Sequence, residues 1–301
     1  GAGSGRDRSR NRSNLGGPRA PRRPGGRHSG GVGRVPELIE AEAYARAARQ
    51  AVGSVIEHFV VNDPSWVRGG LSGQDVGAAL DGTIITEVDR VGKVVVVQTD
   101  GPSVALRFGM TGRLLWDGDG PIDALIYGPK RADEAWVRCA FRLRAPDGTR
   151  HRLAVEDARR LGSLELDADL SQLGPDAARL TIETLAGALG NSRTPLKAAL
   201  LDQRRVAGLG NLLCDETLWR VGLHPARPAG SLDPPELSAL CATISEVLAD
   251  LGRRGGSHTG DLQPQRRPGG VCPRDSASLL RRQVGGRTTW WCPQHQPPSP
   301  G

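Results

Sequence analysis

The run Gly208-Leu209-Gly210-Asn211-Leu212-Leu213-Cys214-Asp215-Glu216 leads directly into Trp219-Arg220-Val221-Gly222-Leu223-His224-Pro225. Its two glycines make a tight turn that delivers Asn211 to the start of a helix. The first N–H groups of a helix have no intrahelical acceptor, and together with the helix dipole they favour a phosphate. Taken alone, the pattern is more simply an ordinary glycine turn with Asn211 as N-cap.

Around this turn the apolar periodicity is helical over 182–189, 195–203, 212–221 and 235–251, with Gly or Pro at the joints. Upstream the signals are β, over 55–61, 84–91, 94–99, 104–108, 113–116, 135–143, 150–155 and 164–166, several separated by turn sequences such as Asp147-Gly148. The run Val94-Val95-Val96-Val97 does not alternate, which predicts a strand buried on both faces. One helix precedes the strands: Ile39, Ala43, Ala47 and Val52 recur at helical spacing among Glu40, Glu42, Arg46 and Arg49, and Gly53 ends it. The pattern predicts an α+β multidomain chain. A β-sandwich or flattened barrel with its helix fills 35–172, a helical domain 173–256, and a linker with a small hairpin at 279–291 fills 257–301.

The 301 residues carry a formal charge of +7, but nine Arg and one Asp within 1–34 account for +8, leaving −1 on the other 267. Global basicity therefore says little about partners, whereas eight Arg against two Asp between Arg253 and Arg287 are enough for a phosphate-binding surface or, equally, a solvated tail. Residues 1–34 hold almost nothing to bury and are expected to be disordered. Nothing in the sequence reads as a signal peptide or approaches the roughly 18 apolar residues of a membrane span, so a soluble, cytoplasmic protein is expected. Five scattered cysteines argue against a disulfide framework, and Cys139, Cys214 and Cys241 read as small buried hydrophobes.

The glycine turn has company. Pro36-Glu37-Leu38 with Glu40 and Glu42, then Val91-Gly92-Lys93 leading to Phe108-Gly109-Met110-Thr111-Gly112-Arg113, then Asp157-Ala158-Arg159-Arg160-Leu161-Gly162, and finally Gly285-Gly286-Arg287-Thr288-Thr289-Trp290-Trp291-Cys292-Pro293 follow one another in order. With the turn, these blocks resemble the formamidopyrimidine-DNA glycosylase / endonuclease VIII family over residues 35 to about 296. The resemblance implies a catalytic β-sandwich, a helix-two-turn-helix domain and a zinc-finger-like hairpin. It also implies a base-excision repair enzyme: a DNA glycosylase for oxidised bases with abasic-site lyase activity, acting on double-stranded DNA as a monomer in a bacterial nucleoid.

In that family a proline amine attacks C1′ of the damaged nucleoside and forms a Schiff base that permits strand cleavage by elimination. Pro36 matches the nucleophile, Glu37 the proton donor to the sugar ring, Lys93 a lysine that reaches phosphate and assists, and Glu40 a further carboxylate of the same block. Met110, Arg159 and Leu161 match the residues that fill the gap left by a flipped nucleotide, with Leu161 standing where an aromatic wedge is common. Lys197, Asn211 and Arg287 match DNA-contacting positions. A peptide-bonded proline nitrogen has no proton and no basic lone pair, so Pro36 fits its role only as a free terminus. Valine at 35 is what a GTG codon gives when translated internally, which leads to the expectation that the functional protein begins there and exposes Pro36.

Cys272-Pro273-Arg274-Asp275, then sixteen residues, then Cys292-Pro293-Gln294-His295 keeps the spacing of two Cys-x-x-Cys pairs, with Asp275 and His295 replacing two thiolates. Both replacements can ligate zinc, so a structural zinc site of two thiolates, a carboxylate and an imidazole is expected. The competing reading of the chain is a catalytically inactive DNA-binding protein of the same fold. The extension and the departures at Leu161, Asp275 and His295 favour it, whereas Pro36, Glu37, Glu40 and Lys93 together oppose it.

Overall fold

The computed structural model describes residues 36–122 and 133–298; the extension expected over 1–34 lies outside them. The chain opens with α1 (Leu38–Ala48), continued by a 3-10 turn, and passes through β1 (Val55–Val61) into a short helix, α2 (Gly73–Leu80). Seven strands follow: β2 (Ile85–Val91), β3 (Val94–Thr99), β4 (Val104–Arg107), β5 (Arg113–Trp116), β6 (Val137–Arg144), β7 (Arg150–Glu156) and β8 (Ser163–Leu166). Together with β1 they pair antiparallel as two four-stranded sheets, ordered β1-β6-β7-β5 and β2-β3-β4-β8.

The inner faces of the sheets close on one core. Phe59 of β1 lies directly opposite Phe141 of β6, and their rings meet edge to face at 4.5 Å. Val95, Val97, Leu106 and Leu153 join them in the same cluster. The unbroken Val94–Val97 run is buried on both faces, as its lack of alternation predicts: Val95 and Val97 enter the sandwich core, whereas Val94 and Val96 pack on Ala105 and the 168–173 segment. Helix α2 escapes the sequence reading because Gly73 and Gly77 weaken its periodicity. Its start is nonetheless marked by a reciprocal capping box between Ser72 and Asp75.

The helical part comprises α3 (Ile182–Leu189), α4 (Leu196–Leu201), α5 (Asn211–Val221) and the long α6 (Pro234–Arg253) around a second core. The last element is the hairpin β9 (Leu280–Val284) and β10 (Arg287–Trp291), turning through Gly285 and Gly286. Trp290 and Leu279 from the hairpin region pack with Trp219 of α5 in a third cluster.

Helix α1 is shared between the two larger cores. Tyr44, Ala45 and Ala48 enter the sandwich core, while Leu38 and Ile39, at its start, enter the helical one. Burying side chains the size of Leu38 and Ile39 is worth about 1.5–3 kcal/mol each, and Tyr44 anchors the other end, so α1 is held by both bodies at once. That holds Pro36 and Glu37 at their junction.

Candidate active site and metal centre

Pro36 is buried, and Glu37 beside it is fully inaccessible. The Glu37 carboxylate reaches across the junction and accepts backbone N–H bonds from Gly210 at 2.9 Å, Leu212 at 2.8 Å and Leu213 at 3.1 Å. These are the orphan donors at the start of α5, so the glycine turn does bind an anion, but the anion is Glu37. Two expectations are corrected by this. Exposed amides awaiting a phosphate are already occupied at three of these positions, and the N-cap is Gly210, with Asn211 displaced to the first helical position. A Cβ on Gly210 would sit 2.2 Å from the Glu37 carboxyl carbon, which is why the turn carries glycine there. Asn211 itself is half-buried, and its side-chain oxygen has no partner among the described residues.

Burial raises the Glu37 carboxyl above the ordinary range. The Lys93 ammonium opposes the shift, the Glu40 carboxylate reinforces it, and the N–H groups of Leu212 and Leu213 act with Lys93. Glu40 is buried too; one oxygen accepts the Glu37 N–H at 2.9 Å and the other accepts the Ser257 N–H and hydroxyl, both at 2.7 Å. Ser257 is a contact that sequence reasoning missed, because 217 residues separate it from Glu40. Lys93 stands half-buried at the β2–β3 turn, with no hydrogen-bond or salt-bridge partner among the described residues. A cavity of about 710 Å³ flanks Glu40 between α1 and the end of α6, with Ile39, Arg46, Leu248 and Gly256 on its walls.

Met110, Arg159 and Leu161 are brought together on one surface. The Arg159 guanidinium lies 3.8 Å from the Met110 sulfur, and Leu161 is 48% exposed. Buried Asp157 organises the segment. It accepts the Thr111 hydroxyl at 2.6 Å, the Gly162 N–H at 2.7 Å and the Trp66 indole N–H at 3.2 Å, which fixes the Met110 turn against the Arg159–Leu161 loop. Arg160, with φ of 56°, turns the other way and pairs with Asp63 at 3.0 Å.

Lys197 corrects another expectation. It is wholly buried, with its ammonium 2.6 Å from Asp215 and 2.8 Å from the Thr289 hydroxyl, and burial lowers its pKa. Asp215 also holds Arg266 at 2.7 Å. Lys197 therefore ties the hairpin to α4 and α5 and does not face DNA, and Arg266 leaves the set of arginines free to meet phosphate. Arg287 is exposed at the beginning of β10, just past the glycine turn of the hairpin.

One ligand atom from each of Cys272, Asp275, Cys292 and His295 lies within 4.8 Å of all the others. Asp275 is 3.0 Å from His295 Nδ1 and 3.1 Å from the Cys292 sulfur, and Cys272 is 3.5 Å from His295 Nδ1. Metal–ligand bonds of about 2.0–2.3 Å put tetrahedral neighbours roughly 3.3–3.8 Å apart, so the four donors fit one metal ion with small adjustments. The surroundings agree: His295 Nε2 is 3.2 Å from the Trp219 carbonyl, which leaves Nδ1 for a metal. The Cys272 sulfur accepts from the Trp219 indole and the Arg274 N–H.

A β-sandwich, a helical body whose α5 is capped by Glu37, and a hairpin bracketed by four metal-donor side chains are the parts of a helix-two-turn-helix protein. Residues 35–164 match the formamidopyrimidine-DNA glycosylase N-terminal domain, and residues 173–261 match the formamidopyrimidine-DNA glycosylase H2TH domain. A formamidopyrimidine-DNA glycosylase of Erythrobacter litoralis is 32% identical over 289 residues, covering 87% of this chain and 100% of its own length. One from Thermus thermophilus is 32% identical over 302 residues, covering 88% and 100%. Among solved structures, the Lactococcus lactis Fpg in complex with DNA containing an abasic site superposes with a TM-score of 0.71 at 25% identity, covering 86% of this chain and 99% of that one. The chain belongs to the formamidopyrimidine-DNA glycosylase family. Among the described residues no helix is long and apolar enough to cross a membrane.

Proposed function

We propose that this protein is a base-excision repair DNA glycosylase that removes oxidised bases from double-stranded DNA and cleaves the resulting abasic site. The observation that carries the proposal is the convergence of Pro36, Glu37, Glu40 and Lys93 where the two larger bodies meet. The Pro36 amine, in a chain whose first residue is Pro36, forms a bond to C1′ as the bond from C1′ to the base breaks and the base takes up a proton. Glu37, its carboxyl pushed up by burial, delivers a proton to the ring oxygen as the sugar opens, leaving an iminium on Pro36. The iminium acidifies the neighbouring C2′ hydrogens; the Glu37 carboxylate left by the first proton transfer takes one of them as the 3′ phosphate departs, which breaks the strand. Lys93 bears on the phosphate and on the charge state of Glu37, and Met110, Arg159 and Leu161 occupy the gap left in the duplex.

Cys272, Asp275, Cys292 and His295 would hold a zinc ion, whose chemistry would be structural, cross-linking the two ends of the hairpin that carries Arg287. Asn211, next to the Gly210 N–H that Glu37 accepts, has an amide oxygen with no partner among the described residues.

The test is single-turnover incubation of protein beginning at Pro36 with a duplex carrying 8-oxoguanine. The proposal expects released 8-oxoguanine together with a strand break at the lesion. Binding with neither product would overturn it in favour of a recognition protein.

A further inference from the structure

Among the described residues no hydrogen bond or ion pair holds the Lys93 side chain, yet the turn that carries it is clamped from the helical body. Asp176, in the segment leading into the helical body, accepts the Gly92 N–H at 2.7 Å. The same carboxylate takes the Arg90 guanidinium as a fork, at 2.6 and 3.1 Å. Arg90 then donates to the Gly92 carbonyl at 2.8 Å and to Glu42 of α1 at 2.9 Å. The side chains of Arg90 and Asp176 are only 6% and 12% exposed, so water competes weakly for these bonds.

The clamp also sets distance. A Cβ on Gly92 would lie 2.9 Å from Ala207 Cβ and 3.2 Å from the Gly208 N, so the lysine turn rests directly on the turn that leads to Gly210. Asp176 and Ala207 are themselves bridged in parallel, with the Ala177 N–H donating to the Ala207 carbonyl at 2.8 Å. The Leu38 N–H donates to the Gly208 carbonyl at 3.1 Å, which joins the start of α1 to the same turn. Asp176 thus ties together, through its carboxylate, the backbone on the N-terminal side of Lys93 and, by way of Arg90 and Glu42, the helix that Glu37 opens, while the backbone beside it is bonded to the turn that leads to Gly210.

The geometry points to Asp176 as a positioning residue for catalysis, acting through Gly92 and Arg90 to hold Lys93 against the Pro36–Glu37 site. This inference rests on the proposed role of Lys93. It adds that the register of the lysine is set from the helical body and not by the β2–β3 turn alone. Asparagine in place of Asp176 keeps the shape but cannot accept both the Arg90 fork and the Gly92 N–H, since its amide nitrogen only donates. Arginine-to-lysine exchange at position 90 keeps the charge but removes the fork.

The experiment is a double-mutant cycle on protein beginning at Pro36, reading the single-turnover rate constant for 8-oxoguanine excision, the apparent DNA dissociation constant and the melting temperature. Asp176→Asn is expected to lower the rate constant about 10- to 100-fold, the scale of a small misplacement of a catalytic group, while DNA affinity changes by less than about threefold. In a Lys93→Ala background the same exchange is expected to cost nothing further. Arg90→Lys is expected to reproduce the pattern and serves as the readout if Asp176→Asn does not fold. Multiplicative losses, or a loss confined to DNA affinity, would overturn the inference while leaving the proposed activity intact. Absence of excision by the unsubstituted protein would instead remove the proposed activity and this inference with it.

Discussion

The carboxylate of Glu37 accepts the backbone N–H of Leu212 at 2.8 Å across 175 residues of sequence, so the residue assigned to proton transfer is also the cap of α5. Glu37→Gln keeps the shape but turns one acceptor into a donor facing the backbone N–H groups. It is expected to cost about 1–3 kcal/mol of stability and to lower the excision rate constant by about 10²–10⁴-fold. Thermal melting and single-turnover kinetics on one preparation check both; full activity in the variant would remove Glu37 from the chemistry.

Lys93 lowers the Glu37 pKa against the rise caused by burial. A general acid works protonated, so excision falls as pH climbs through the Glu37 pKa. Removing the lysine charge removes a lowering influence, and Lys93→Ala should move the falling limb of the pH–rate profile to higher pH. Stability carries the same sign. With the folded pKa above the unfolded one, the contribution is complete below the unfolded value and is lost as pH rises through the folded value. The upper edge of that window, set by the folded pKa, should also move up in the variant. A limb that stays in place or moves down contradicts the electrostatic link.

Lys197 and Arg287 separate two kinds of basic residue. Lys197→Met leaves Arg266 as the main partner of Asp215 in a buried cluster and should destabilise the fold by about 3 kcal/mol. The salt dependence of DNA binding should not change. Arg287→Ala should leave stability within about 0.5 kcal/mol and reduce the salt slope by about one. Binding titrations over a range of salt, paired with denaturant unfolding, distinguish the two.

Leu161 is largely exposed and Asp157 fixes its loop, so Leu161→Ala should leave stability within about 0.5 kcal/mol. Excision should still fall, because the gap left by a flipped nucleotide is less well filled. Equal rates for the two proteins would show that the wedge lies elsewhere.

A chelator strong enough to strip the hairpin, or His295→Ala, should remove one zinc per chain and weaken DNA binding at least tenfold, since the donors bracket the hairpin that carries Arg287. Metal-free protein that binds DNA normally would sink the zinc assignment.

What the sequence disclosed follows the range of the interactions. The strand runs and the doubly buried Val94–Val97 stretch are local patterns found where expected, and the spacing of Cys272, Asp275, Cys292 and His295 is a local pattern whose four donor atoms come together. Helix α2 was obscured because glycine at 73 and 77 masks its period. Lys197 follows a proline at a helix start, a setting that reads as solvent-facing; its buried partner Asp215 lies on another helix. The capping of α5 by Glu37, the Ser257 contact to Glu40 and the Asp176 clamp join residues far apart in the chain, and no periodicity records such contacts.

The central claim is that Pro36 is the nucleophile, and borohydride trapping on a duplex bearing an abasic site tests it most directly. Protein beginning at Pro36 should become covalently joined to the DNA, with the attachment mapped by peptide mass to Pro36, and protein carrying residues 1–35 ahead of it should not. Trapping by the longer protein alone, attachment at a lysine, or no adduct from either would contradict the account.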